Sequence, residues 1–332
     1  MLRKLLVPFA LLAACQTPDT DAPPRPRAAP EAAPARAAPI DLLGSAGDCA
    51  GEVVTRGGER FLLLDDGSLL TRAPLAVRAA GGPRTFHPQN FAGGAVQHRC
   101  NAGEVHLPDG TRYMGGRNEA TCERFEQDAA RIEAAGWDDG TVGAIRWFGI
   151  DAEGSARVGG AVVPRVRPVL TPEGGYVSRT PLRDETRPLG DPGAYPDATR
   201  DAYAAARRDQ DIALGSHGVA WRTRACPPGR ACEPVPFVVA ARSARAGEGS
   251  VALARAASGL EPAGALTRRD RYRGQAENAD LLYVFFGGAG APFRAETGEA
   301  DAAAAFAAWG GRERLIACRR AFIPEARAEA TR

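Results

Sequence analysis

Apolar and polar positions alternate in short runs along most of the chain, and turn-forming residues bound nearly every run. This pattern predicts strands over residues 60–64, which run into Asp65-Asp66-Gly67, and over 142–149, 175–178, 218–222, 237–240 and 281–286. Residues 104–107 and 111–114 flank Pro108-Asp109-Gly110, which predicts a β-hairpin. In a few places a helical period replaces the alternation. Asn118 is placed to cap a helix through Ala135, with Cys122, Phe125, Ala129 and Ile132 on its inner face and Gly136 as its stop. Further helices are expected over 248–258, ended by Gly259, over 299–309, and over 196–208. Strands and helices do not alternate regularly, so a doubly wound parallel sheet is excluded. The expected fold is mainly β, antiparallel and barrel-like, with peripheral helices in an α+β arrangement.

The first residues follow a different pattern. A charged start (Arg3, Lys4) leads into an apolar run over 5–12 and then Leu12-Ala13-Ala14-Cys15. The run is far shorter than the roughly 20 apolar residues a spanning helix needs, so residues 1–15 read as a signal peptide. Leu-Ala-Ala-Cys resembles a bacterial lipoprotein cleavage box, which implies that Cys15 becomes the first mature residue and carries the lipid. Gln16 follows, rather than the aspartate that retains many such proteins at an inner membrane, and this points to the outer membrane. Residues 16–40 hold seven prolines and eight alanines. Such a segment favours extended polyproline geometry, and at about 3.1 Å per residue it would hold a domain some 70–80 Å from its lipid. The globular part is therefore expected over 41–325, with 41–140 a candidate N-terminal lobe.

Charge sharpens this picture. Of 332 residues, 42 are Lys or Arg and 40 are Asp or Glu. Lys4 is the only lysine, and it leaves with Arg3 when the signal is removed, so the mature chain has 40 positive and 40 negative residues. A neutral chain has no electrostatic footprint for nucleic acid or anionic lipid, and membrane contact is expected only through Cys15. No lysine remains for Schiff-base chemistry.

Six further cysteines, an even number in an exported chain, predict disulfides. Cys226-Pro-Pro-Gly-Arg-Ala-Cys232 contains a turn that can bring its two ends together. The other four allow three connectivities, of which Cys100 with Cys122 and Cys49 with Cys318 is preferred. The sequence contains no GxSxG elbow, HExxH pair, GxGxxG or Walker loop, so no cofactor is expected. His87, His98 and His106 lie close in sequence without a recognised ligand spacing, and no metal site is expected.

Carboxylate chemistry remains, as used by many exported enzymes that act on polysaccharides. Ala246-Gly-Glu-Gly-Ser-Val-Ala-Leu-Ala-Arg255, then Gly259-Leu-Glu-Pro262 and Ala279-Asp-Leu-Leu-Tyr-Val-Phe-Phe-Gly287, resemble the C-terminal half of glycoside hydrolase family 75, the fungal-type chitosanases. Gly175-Tyr-Val-Ser-Arg-Thr180, Asp191-Pro-Gly-Ala-Tyr-Pro-Asp-Ala198 and Gly82-Pro-Arg-Thr-Phe-His-Pro88 are similar to further segments of that family. The resemblance is scattered over residues 75–290. It implies a polysaccharide ligand and places Glu248 at the family's catalytic glutamate.

The same resemblance exposes a gap. The family carries an aspartate after the preceding strand, where this chain has Ala240 and Ala241, and acids before the His-Pro segment, where this chain has Arg78-Ala-Ala-Gly81. An inverting mechanism without its second carboxylate lacks acid–base assistance typically worth about 10²–10⁴-fold. Asp151 and Glu153, at the end of an apolar run, are the best substitutes, ahead of Asp270 and Asp280. Tyr176, Trp221 and Trp147 are candidates to stack on sugar rings, and Trp147 has the apolar flanks of a core residue. Arg242 and Arg245 are expected to pair with Glu248. Hydrolysis is thus left open beside a non-enzymatic binding or structural role.

Overall fold

The computed structural model describes residues 49–261, 279–288 and 290–323, all within one unit spanning Pro39–Arg332. Cys15, the segment 16–40 and Asp270 lie outside the described residues. In chain order the strands are β1 (Gly51–Arg56), β2 (Glu59–Leu64), β3 (Leu69–Pro74), β4 (Ala76–Arg78), β5 (Gly103–His106) and β6 (Arg112–Met114). Helix α1 (Glu119–Ala134) precedes β7 (Ala144–Trp147), β8 (Ala152–Val158), β9 (Ala161–Pro168), β10 (Tyr203–Arg207), β11 (His217–Arg222), β12 (Val235–Ser243) and β13 (Glu248–Ser250). Helix α2 (Val251–Ala257), strand β14 (Asp280–Phe285), helix α3 (Gly298–Trp309) and helix α4 (Gly311–Phe322) complete the described elements.

Nine strands form one sheet in the order β1-β2-β3-β14-β11-β12-β10-β13-β4. Most neighbours are antiparallel, but β10 runs parallel to β12 and β13 parallel to β4. The mainly β, α+β expectation holds. Barrel closure does not, because β1 and β4 each have a single neighbour and stand at opposite edges of an open sheet. Strands β1–β4 belong to the same sheet as β10–β14, whereas β5 and β6 belong to a separate three-stranded sheet with β7.

Both faces of this sheet are covered, and the period of two divides each strand between them. On β14, Leu281, Tyr283 and Phe285 join Phe61, Phe237 and Leu253 of α2 in one core. Leu282 and Val284 join Leu62, Leu70 and Val219 beneath Trp309, Leu315 and Cys318 of α3 and α4. A satellite core lies under α1, where Phe125, Ala129 and Ile132 pack on Val105, Ile145 and Trp147 of the three-stranded sheet β6-β5-β7. The Asn118 cap forms as its sequence requires: its side chain accepts from the Thr121 N–H at 2.9 Å, and the Thr121 hydroxyl accepts from the Asn118 N–H at 3.0 Å. Gly136 ends the turn at φ +87°.

All three preferred disulfides are present, Cys49–Cys318, Cys100–Cys122 and Cys226–Cys232. The helix expected over 196–208 is corrected: residues Tyr203–Arg207 are strand β10, buried at all five positions between β12 and β13. Three consecutive alanines have high helix propensity in isolation, but between two strands their small side chains fit on both faces, and tertiary packing overrides propensity. The helix expected from residue 248 begins only at Val251; Ser250 caps it, accepting from the Leu253 N–H at 3.1 Å. Residues 175–178 supply isolated bridges rather than a strand.

Candidate functional site

Glu248 opens β13, where it is paired in register with Ala76 of β4. Parallel pairing of these two short strands places Arg78 beside it. Arg78 Nε donates to Glu248 Oε2 at 2.7 Å, and Arg78 Nη2 donates to the same oxygen. The Ser243 hydroxyl, at the end of β12, donates to Oε1 at 2.5 Å. Both carboxylate oxygens are therefore engaged while the side chain remains 25 % exposed. The expected partners Arg242 and Arg245 take other roles. Arg242 donates to the Gln210 carbonyl at 3.2 Å, and the Arg245 N–H donates to the Ser243 hydroxyl at 3.1 Å.

Tyr203 lies at the centre of this region. It is fully buried, and its hydroxyl donates to the Ala80 carbonyl at 2.6 Å. Burial pushes its pKa up, and Arg78, Asp197, Glu248 and Asp201 lie close enough for their charges to act on it. Its N–H donates to the Ser250 hydroxyl at 3.1 Å, which ties β10 to the cap of α2. The Gly81 N–H donates to the Ser178 hydroxyl at 3.0 Å. Gly81 has φ +89°, and any Cβ there would collide with the Pro196 carbonyl, so the two loops touch only because that residue is glycine. Asp197 borders Gly82 and accepts from the Thr199 N–H at 2.8 Å. Asp201 accepts from the Asp197 N–H at 2.6 Å, and its burial raises its pKa.

The fold thus assembles Arg78–Gly82, Ser178, Asp197, Tyr203, Ser243 and Glu248 from segments far apart in sequence. Arg78, Ser243 and Tyr203 escaped the sequence reading. Arg78 is separated from Glu248 by 170 positions, and Tyr203 was hidden by its alanine-rich, helix-like surroundings. Asp197 was legible only as part of the Tyr-Pro-Asp-Ala segment. No acid occupies the two positions the resemblance leaves empty: Ala240 and Ala241 are buried in β12, and Ala79 is buried after β4.

The other candidates lie elsewhere in the molecule and have structural partners of their own. Asp151 is 2 % exposed and accepts from the Gly190 N–H at 2.9 Å, fastening one loop to the β8–β9 hairpin. Glu153 is exposed on β8 and paired with Arg167 at 3.8 Å. Asp280 is paired with Arg72 at 2.6 Å. Tyr176 is not a sugar platform: it is 1 % exposed, its ring packs against Trp147 at 5.8 Å, and Arg99 donates to its hydroxyl at 3.4 Å. Trp147 is fully buried. Trp221 is half-buried, donates to the Cys232 carbonyl at 3.0 Å and lies beneath the Arg319 guanidinium at 5.0 Å. His98 stands beside Cys100 and Cys122, but those sulfurs are bonded to each other and offer no thiolate.

No family model matches the chain, and no curated protein is similar to it.

Proposed function

We propose that this is an exported, lipid-anchored envelope protein whose domain binds a polysaccharide without hydrolysing it. One observation carries the reading: Glu248 has both oxygens held by Arg78 and Ser243, while alanines stand where a chitosanase-like site would need its second carboxylate. A general acid must reach the glycosidic oxygen with a carboxyl oxygen, and both oxygens of Glu248 are already engaged by protein groups. Support for a chitosanase-like scaffold comes from the convergence of four resembling segments, since Gly82, Ser178, Asp197 and Glu248 gather in one region around Tyr203. The signal-like residues 1–15 with Cys15, and the proline-rich segment after them, support export and anchoring. Among the described residues no helix is long and apolar enough to cross a membrane.

The neutral mature chain favours an uncharged glycan over a polycation such as chitosan. Titration calorimetry of the mature protein with acetylated and with deacetylated chito-oligosaccharides tests this. Saturable heat that is stronger with the acetylated series is expected, and the absence of saturable heat with either series would overturn the binding reading.

A further inference from the structure

A second site lies beside the open end of the β8–β9 hairpin, where three backbone segments meet. Trp147 Nε1, at the end of β7, donates to the Val166 carbonyl of β9 at 3.1 Å. The Asp151 N–H donates to the Val177 carbonyl at 2.7 Å, the Val169 N–H to the Asp151 carbonyl at 2.8 Å, and the Arg179 N–H to the Gly149 carbonyl at 3.1 Å. The stretches around Gly149, Val166 and Arg179 are thereby held side by side.

Arg165 enters this junction at a β-bulge. The pairing of β8 with β9 shifts between Glu153 and Ser155, so that Arg165 and Val166 stand opposite the single residue Gly154. Arg165 takes φ +57°, a left-handed conformation that strains a long side chain and that glycine would adopt freely. A bulge re-aims the side chain it carries, so an arginine held there bears strain that the turn itself does not need.

The charge brought together here is not balanced. Arg165 and Arg179 are both half-buried, and among the described residues neither guanidinium has a hydrogen bond or an ion pair. Burial, and then the charges of Arg179 and Arg146, hold the pKa of Arg165 below the ordinary arginine value against the pull of Asp151 and Tyr195. The neighbouring acids are committed. Glu104 is paired with Arg146 at 2.7 Å, and buried Asp151 accepts from the Gly190 N–H at 2.9 Å. Burial pushes the pKa of Tyr195 up to about 12, so its phenol stays neutral. In the adjoining loop, by contrast, Arg183 has Glu185 and Arg187 has Asp191, each at 3.2 Å. With Arg146 and Glu104 cancelling, two guanidiniums face the one carboxylate of Asp151, and a single positive charge is left over.

That excess selects an anion of single charge. A phosphomonoester, at about −1.5 to −2 near neutral pH, would leave surplus negative charge beside Asp151. A carboxylate carries one charge, and its two coplanar oxygens match the guanidinium fork. We propose that Arg165 and Arg179 form a binding site for the carboxylate group of an acidic ligand, with Arg146 at its rim. The site shares no residue with the Glu248 region, and it stands whether or not that region holds a glycan.

The test uses the full mature protein with isotope-labelled arginine, followed at the guanidinium Cζ resonances of Arg165 and Arg179. Acetate is the probe at constant ionic strength and about pH 8, where the control methyl phosphate is doubly charged. Chloride and dimethyl phosphate are the singly charged controls. Saturable shifts of both resonances are expected with acetate, at concentrations where the three controls give none. Arg165→Gln should weaken acetate binding, read at Arg179, at least tenfold with an unchanged thermal midpoint. Arg179→Gln, made in parallel and read at Arg165, should do the same if the first variant unfolds. Glu248→Gln should leave the acetate response unchanged. No saturable shift, an equal response to chloride, or undiminished binding in the folded variants would overturn the proposal. An equal or stronger response to either phosphate would assign the site to phosphate esters and overturn the carboxylate. Absence of oligosaccharide binding with the acetate response intact would overturn the Glu248 reading alone.

Discussion

Removing one buried carboxylate, by Asp184→Asn, should produce a loss of stability that depends on pH in a calculable way. Asp184 is 1 % exposed and sits in the loop that leads to Asp197. It accepts from the Thr186 N–H at 3.0 Å, from Arg294 Nη1 at 3.1 Å and from the Ala295 N–H at 3.2 Å. It therefore fastens that loop to the segment before α3. Burial alone would raise its pKa, but the bonds from Thr186 and Ala295 and the Arg294 charge outweigh it and bring the pKa from 3.8 to about 2. At about 1.36 kcal/mol per tenfold change in proton affinity, that is a contribution of about 2 kcal/mol.

The sign follows from proton binding. Between about pH 4 and pH 2 the unfolded chain holds more protons at this group than the folded one, so the contribution is complete above about pH 4 and fades as pH falls towards 2. Urea unfolding of wild type and Asp184→Asn should differ by about 2 kcal/mol from pH 5 to 7, with the gap narrowing steadily by pH 3. A gap that stays constant from pH 7 to pH 3 would assign the effect to packing and refute the electrostatic reasoning. No gap at pH 7 would refute the role of Asp184 as a fastener.

Two further outcomes are expected. Replacing Cys226 and Cys232 by serine opens a loop with a sequence separation of 6 and should cost about 2 kcal/mol, whereas replacing Cys49 and Cys318, separated by 269, should cost about 5.6 kcal/mol on the chain-entropy account, read as unfolding midpoints. Cys15→Ser should move the protein from the detergent-extracted membrane fraction to the soluble fraction; retention in the membrane fraction would remove the lipid anchor from the account.

Local patterns in the sequence were largely faithful to the fold. The Asn118 cap, the 3-4-3 spacing of α1 and the turn at Pro108-Asp109-Gly110 are determined by neighbouring residues, and they appear where the pattern puts them. The misreadings are tertiary. Tyr203–Arg207 forms a strand because it is enclosed by two others, and a single sequence does not reveal those neighbours. The open sheet likewise depends on which strands end at edges.

The site divides along the same line. Glu248 was legible through its Gly-Glu-Gly-Ser setting, but its partner Arg78 was not, because parallel pairing of two three-residue strands leaves no local signature. Tyr176, a stacking candidate on its residue type, is carried into the core by β-bridges to Phe86 and Leu170, partners distant in sequence or across a turn.

The central claim is that the Glu248 region holds a glycan scaffold without hydrolytic chemistry. Reducing-end release from acetylated and deacetylated chitin polymers, compared between wild type and Glu248→Gln, tests it most directly. The account predicts that both proteins stay at the enzyme-free background. Release by the wild type that Glu248→Gln abolishes would contradict it, and would mean that Arg78 yields the carboxylate when substrate binds.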